Sequence, residues 1–207
     1  MTSHETDQEE FWAGEFGTDY IERNSGEAMV TRSVVFWSRV LARLPKLKSI
    51  IELGCNAGLN LQALNRIDPA IDLVGYEINK TAVDVCRSHN VARVEHATIL
   101  DPIDEPEKFD LSFTRGVLIH INPDYLERVY DNLNALSSRY VLVAEYYNPS
   151  PVVIRYRGHD DRLFKRDFAG DMIDRFGMTL LDYGFMYRRD NYFADDDVTW
   201  FLLEKND

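Results

Sequence analysis

Two carboxylates and two glycines carry the first chemical signal in this chain. They stand as Glu52-x-Gly54-x-x-x-Gly58, with Glu77 nineteen positions beyond Gly58. The apolar run Ile50-Ile51-Glu52-Leu53 precedes the glycines, and Leu59, Leu61 and Leu64 recur at helical spacing after them. A strand that turns through glycines into a helix leaves backbone N–H groups free, with the positive end of the helix dipole behind them. Open α/β sheets bind ligands above such strand ends. Glu52 is an acid inside an apolar strand end, and a buried carboxylate needs a partner. A ligand's amino group would serve. Glu77 closes Val74-Gly75-Tyr76-Glu77-Ile78. A carboxylate at the second strand's end suits the two hydroxyls of a ribose in an adenosine-containing cofactor. The bland alternatives are a ligand-free glycine turn and a capping or surface glutamate.

The turn excludes some chemistry. A Walker-type phosphate cradle needs Lys-Ser/Thr after its last glycine, and Leu59-Asn60 follows here. The dinucleotide fingerprint needs glycines where Asn56 and Leu59 stand, which disfavours nicotinamide binding. No Ser or Cys sits in a G-x-S-x-G elbow. The five histidines, His4, His89, His96, His120 and His159, lack metal-ligand spacing, so no metal is expected.

Two residues are candidates for proton chemistry. His120, in Leu118-Ile119-His120-Ile121, can act as a general base on a hydroxyl or amine, or simply orient a neighbour. Glu145 ends the fifth apolar run. Beyond it, Arg155-Tyr156-Arg157-Gly158-His159-Asp160-Asp161-Arg162-Leu163-Phe164-Lys165-Arg166 packs five cations into twelve positions of an acidic chain. Arg pairs carboxylates and phosphates in a bidentate way. Arg155, Tyr156, Arg157, His159 and Arg162, with Tyr146 and Tyr147, are therefore expected to hold a small anionic acceptor of the sugar-acid or nucleotide-sugar type. A solvated charge run, pairing Asp160, Asp161 and Asp167, is the competing reading.

The elements that must position these residues alternate. Strands are expected at about 50–53, 73–76, 92–96, 110–114 and 140–145, and helices at 59–66 and 80–89. Asn122 is expected to cap a helix reaching Leu136, with Pro123 at its first position. Alternation of this kind predicts a doubly wound, Rossmann-like α/β fold whose sheet is covered on both faces. Two last strands, about 179–187 and 198–204, flank an acidic tip at 195–197 that is expected to be exposed, and Asp167 caps a helix before them. The expected sheet has seven mostly parallel strands with an antiparallel C-terminal strand. Residues 1–45 read as an N-terminal helical lid, frayed through Thr6, with short helical turns around Gly14 and Gly17 and a helix over about 26–43. Residues 46–207 read as the main domain, with a substrate loop at 147–166.

The 207 residues carry a formal charge of −12, a poor balance for nucleic acid or an anionic membrane surface. No apolar run is long enough to span a bilayer. The acidic N-terminus resembles neither a secretory signal nor a transit peptide. Cys55 and Cys86 cannot form a disulfide framework, which suggests a reduced, cytoplasmic protein. Oligomeric state is not readable from these features.

Glu52 to Gly58, Gly75-Tyr-Glu77 and Phe109 to His120 together resemble a class I S-adenosylmethionine-dependent methyltransferase, over roughly residues 48–205. Phe11 to Asn24, Gly54 to Asn60 and Ala144 to Pro149 are similar to the methylases associated with pseudaminic acid biosynthesis. The resemblance implies S-adenosylmethionine as cofactor and O- or N-methylation of the acceptor; the alternatives are a non-catalytic nucleoside-binding accessory of a glycan pathway and, less favoured, a nicotinamide-dependent oxidoreductase. It places the backbone of Gly54 to Gly58 on the methionine part, Glu52 on its amino group and Glu77 on the ribose. It also places Ile78, Thr98 and Ile99 at the adenine, and Arg115 beside the methionine carboxylate or ribose. Asn56 departs from the commoner middle glycine, but Asn tolerates left-handed dihedrals. Thr98 departs from the acidic residue of many relatives. Tyr20 and Arg23, three apart, would share a helix face and close over the cofactor carboxylate, unless they form a surface cap.

Overall fold

The computed structural model describes residues 4–206. Three helices come first: α1 (Asp7–Ala13), α2 (Glu15–Arg23) and α3 (Glu27–Leu41). The alternating body follows as β1 (Ser49–Leu53), α4 (Leu59–Ile67), β2 (Asp72–Glu77), α5 (Lys80–Ser88), β3 (Arg93–His96), β4 (Phe109–Arg115), α6 (Leu126–Leu136) and β5 (Ser137–Glu145). The chain ends with β6 (Val152–Val153), β7 (Phe164–Lys165), α7 (Phe168–Phe176), β8 (Thr179–Met186) and β9 (Val198–Glu204). The main sheet has seven strands in the order β3-β2-β1-β4-β5-β9-β8. β9 pairs antiparallel with both β5 and β8, and the pairs from β3 to β5 are parallel.

Parallel strands buried on both faces read as continuous apolar runs, and the two cores show why. On one face α3, α4 and α5 pack Phe36, Trp37, Val40, Leu61, Leu64 and Val83 against Phe113, Leu142 and Trp200. On the other, α6 and α7 pack Val129, Leu133 and Met172 against Ile51, Val141 and Leu203. Trp37 and Phe36 are fully buried, so α3 is a wall of the core rather than part of a lid. Each such side chain contributes about 1.5–3 kcal/mol of transfer free energy. Within the expected 1–45 lid, α1 and α2 line the cavity described below, and so does the N-terminal half of α3.

Several local expectations need correction. Thr6 is not frayed. Its hydroxyl accepts from Glu9 N, and the Glu9 carboxylate accepts from Thr6 N, closing a capping box. Residues 1–3 of the expected frayed end lie outside the described residues. Asn122 caps a 3-10 turn, Pro123–Tyr125, and α6 begins only at Leu126. Residues 147–166 are not all loop, because β6 and β7 pair as a short hairpin. Cys55 and Cys86 are free and buried. A Cβ on Gly58, which sits at φ +78, would stand 2.3 Å from Cys86 Sγ. The turn therefore packs on α5 only as glycine. Among the described residues no helix is long and apolar enough to cross a membrane.

Candidate active site

The ends of β1, β2, β4 and β5 form the floor of a cavity of about 440 Å³. α1 and α2 roof it with Gln8, Glu9, Trp12 and Tyr20; α3 adds Met29, Arg32 and Ser33; and the β8–β9 connection adds Asp195 and Asp196.

The glycine turn lies on this floor, and its amides are already used. Gly54 N and Cys55 N donate to Tyr76 O, Gly58 N to Cys55 O, Asn56 N to Glu77 Oε2 and Ala57 N to Asn56 Oδ1. The free N–H groups expected between Gly54 and Gly58 are absent. The turn is a packing surface, not an anion cradle. Asn56 holds it with a left-handed φ of +46, as its residue type allows.

Glu52 is 1% exposed. Asn60 Nδ2 donates to its Oε1 at 2.6 Å, while its Oε2, buried, has no partner. Burial pushes the carboxyl up to about 8, against the Asn60 bond and the Arg115 charge. Asn60 Oδ1 accepts from Trp37 Nε1 and from Arg115 Nη1. Arg115 also donates to Ser33 Oγ and pairs with Asp195. The acidic tip expected to be exposed is thus folded back at Asp195, where the largely shielded Arg115 guanidinium draws it in, while Asp196 is exposed.

Glu77 lines the cavity and accepts from Asn56 N at 2.8 Å and Asn79 N at 2.7 Å. Burial raises its pKa, opposed by these backbone donors. Each carboxylate oxygen keeps a second lone pair for a ligand hydroxyl. Ile78, Thr98 and Ile99 line the same end. Thr98 donates its hydroxyl proton to Glu9 of α1. The acid missing at position 98 therefore has a counterpart 89 positions earlier in the chain. Its only sequence signal is the capping box Thr6-x-x-Glu9, which speaks of a helix start.

The lid residues split. Tyr20 lines the cavity, its pKa pushed up to about 12 by burial and the Tyr156 and Asp196 groups. Arg23 does not line it; its guanidinium turns outward over the Phe16 ring at 5.3 Å. Gln8 Oε1 and Trp12 Nε1, both on cavity-lining residues, are buried without partners. Asn79 fastens the lid. Its Nδ2 donates to Trp12 O at 3.0 Å and Gly14 O at 3.2 Å, and its Oδ1 caps α5 by accepting from Ala82 N.

His120 lines the cavity with its Nδ1 2.6 Å from Arg162 O. A carbonyl only accepts, so Nδ1 carries the proton and Nε2 keeps a lone pair. Burial lowers its pKa to about 4. That makes it a weak base at neutral pH and a good hydrogen-bond acceptor. Glu145 does not line this cavity. It accepts from Val117 N and Leu118 N at 3.0 and 3.1 Å, and from Ile119 N. It is 2% exposed and burial pushes it up to about 7. Its bonds make it an anchor for the backbone of Val117 to Ile119.

The basic loop is likewise divided. Tyr146, Tyr156 and Arg157 line the cavity. Arg155 pairs with Asp160 on the surface at 3.6 Å, and Arg162 pairs with Asp161 and lies over Phe11. His159 packs edge-on against Phe11, and Tyr147 against Phe201. The loop's own acids take two of its cations, in line with the charge-run reading. Among the described residues, no group of three or more His, Cys, Asp and Glu could hold a metal.

The architecture is the Rossmann-like fold of class I methyltransferases. Residues 50–138 match a family model described as a methyltransferase domain. Among solved structures, magnesium protoporphyrin IX methyltransferase from Synechocystis PCC 6803 with bound SAH superposes with a TM-score of 0.68. It is 15% identical, and the match covers 97% of this chain and all of that one. The plantazolicin methyltransferase BpumL in complex with SAH gives 0.65 at 14% identity, over 96% of this chain and 94% of that one. The N-methyltransferase NodS from Bradyrhizobium japonicum WM9 gives 0.63 at 14%, over 86% and 96%. No curated protein sequence matches the chain.

Proposed function

We propose that this protein is an S-adenosylmethionine-dependent methyltransferase acting on a small acceptor. One observation carries the reading: the buried, unpartnered Oε2 of Glu52 on the cavity floor, at the end of β1. A buried carboxylate without a partner fits an ammonium group. Glu77 fits the ribose hydroxyls, with Ile78, Thr98, Ile99 and Glu9 about the base, and Arg115 or Arg32 suits the α-carboxylate. SAH and SAM in the solved neighbours agree with this donor set. When bound, the cofactor supplies a methyl group already activated on a sulfonium.

The chain's own part is to align the acceptor and exclude water. Gln8, Glu9, Trp12 and Tyr20 roof the cavity for that purpose. His120 Nε2 accepts a hydrogen bond and orients the acceptor. Arg157 is the loop cation that suits an anionic group on the acceptor, in keeping with the sugar acids suggested by the pseudaminic-acid-associated methylases. Buried reduced thiols suit a cytoplasmic setting.

Calorimetric titration tests the reading. Micromolar binding of S-adenosylmethionine is expected, with none for NAD and none in Glu77→Ala. Unaltered binding in that variant would sink the ribose assignment. Methyl-labelled S-adenosylmethionine offered with a metabolite extract then identifies the acceptor.

A further inference from the structure

Asp195 pairs with Arg115 and Asp197 with Arg188, yet Asp196 between them has no cation partner among the described residues. Its carboxylate instead meets phenols. Asp196 is an exposed residue that lines the cavity, and its charge adds to burial in raising the Tyr20 and Tyr146 phenols. Tyr156 belongs to the same group of phenols. Trp12 completes the wall, its ring centroid 5.3 Å from Tyr20 and 4.6 Å from His120. All of these line the cavity. Two buried polar atoms there also lack partners, Trp12 Nε1 and the Oε1 of Gln8, which is 6% exposed. The cavity is thus built for a polar occupant at this end.

Aromatic rings and a carboxylate without a cation partner in the wall of one cavity are a setting that attracts an organic ammonium. Each face offers the negative part of an aromatic quadrupole, and the carboxylate offers a charge-assisted hydrogen bond. We infer that the acceptor carries an amine, held by Asp196 among Trp12, Tyr20, Tyr146 and Tyr156, and that its nitrogen takes the methyl group. This rests on the methyltransferase reading and names its substrate class. An anionic group on the same molecule would face Arg157, so an amino acid or amino sugar acid satisfies both ends. An ammonium cannot attack. It first sheds one proton to Asp196 and on to water. The freed lone pair then forms the N–C bond while the C–S electron pair stays on sulfur, leaving a methylated ammonium and a neutral thioether.

The test uses matched rings, cyclohexylamine and cyclohexanol, titrated into the full chain saturated with SAH and followed by saturation-transfer NMR. The amine is expected to bind at least about tenfold more tightly at pH 7.5. Asp196→Asn should remove that difference, and Trp12→Leu should shrink it while Asp196 remains. Equal binding of the two rings, or an amine preference that survives Asp196→Asn, overturns the inference. The methyltransferase reading fails separately, if SAH itself does not bind. The amine preference is then measured on the free protein, where the same two results would overturn the inference.

Discussion

Asp195 Oδ2 sits 2.5 Å from Arg115 Nη2, with side chains only 10% and 12% exposed. The pair ties the β8–β9 connection to the end of β4, beside the Glu52–Asn60 bond. Arg115 is the group proposed for the cofactor's α-carboxylate, so Asp195 occupies that bond in the ligand-free protein.

Competition between the two carboxylates has a measurable sign. Asp195→Asn leaves a guanidinium short of one negative partner. SAH, which carries a carboxylate, should bind about fivefold more tightly, roughly 1 kcal/mol. Methylthioadenosine, which lacks it, should bind as before. Calorimetry on both ligands decides. If both tighten, or neither does, Arg115 is not the carboxylate's partner.

Glu52 makes binding depend on pH. Its carboxyl is held near 8 by burial, and an ammonium beside it would lower that value again. Ligand binding then releases a proton, so affinity should rise with pH up to about 8 and flatten beyond. Folding runs the other way. The folded chain keeps a proton that the unfolded chain loses above its ordinary 4.5, so ligand-free stability should fall from about pH 4.5 to about 8. Thermal melts and titrations of Glu52→Gln should show both slopes reduced. Slopes equal to those of the parent protein would mean that Glu52 sets neither.

Glu145 should behave as structure. Glu145→Ala strips the acceptor from Val117, Leu118 and Ile119, and is expected to cost about 2–3 kcal/mol in urea unfolding. The pH profile of kcat should keep its shape. A vanished limb in that profile would restore Glu145 to the chemistry.

Asn79 should control the lid. Asn79→Asp keeps the acceptor that caps α5 but sets a carboxylate against the carbonyls of Trp12 and Gly14. Limited proteolysis should then cut within residues 7–24 many times faster, with the body's unfolding midpoint little changed. Equal cutting rates would mean that the lid is held elsewhere.

How much of the fold and site is legible in the chain depends on distance along it. The glycine turn, Glu52 and Glu77 are legible because a strand, a turn and a strand end are local patterns. β8 and β9 are legible for the same reason. Glu9 is not, because its meeting with Thr98 spans 89 positions and its own neighbourhood explains it as a cap. Asp195 is hidden likewise, 80 positions from Arg115. Tyr20 and Arg23 share a helix side, yet only Tyr20 faces the cavity, since three positions leave enough angular freedom for an outward contact with Phe16. Arg155 misleads because a count of cations does not reveal that Asp160 captures one of them.

The two cysteines have a practical consequence. Both are buried, Cys55 at 3% and Cys86 at 1% exposed, and the contact with Cys86, reinforced by burial, holds the Cys55 thiol protonated. The native chain is therefore nearly inert to thiol reagents. A single cysteine placed at Glu15 on the lid, with a second at the exposed Arg155, would take a fluorophore pair without prior removal of native thiols. Energy transfer between them would follow the roof of the cavity in real time, in an otherwise unaltered protein.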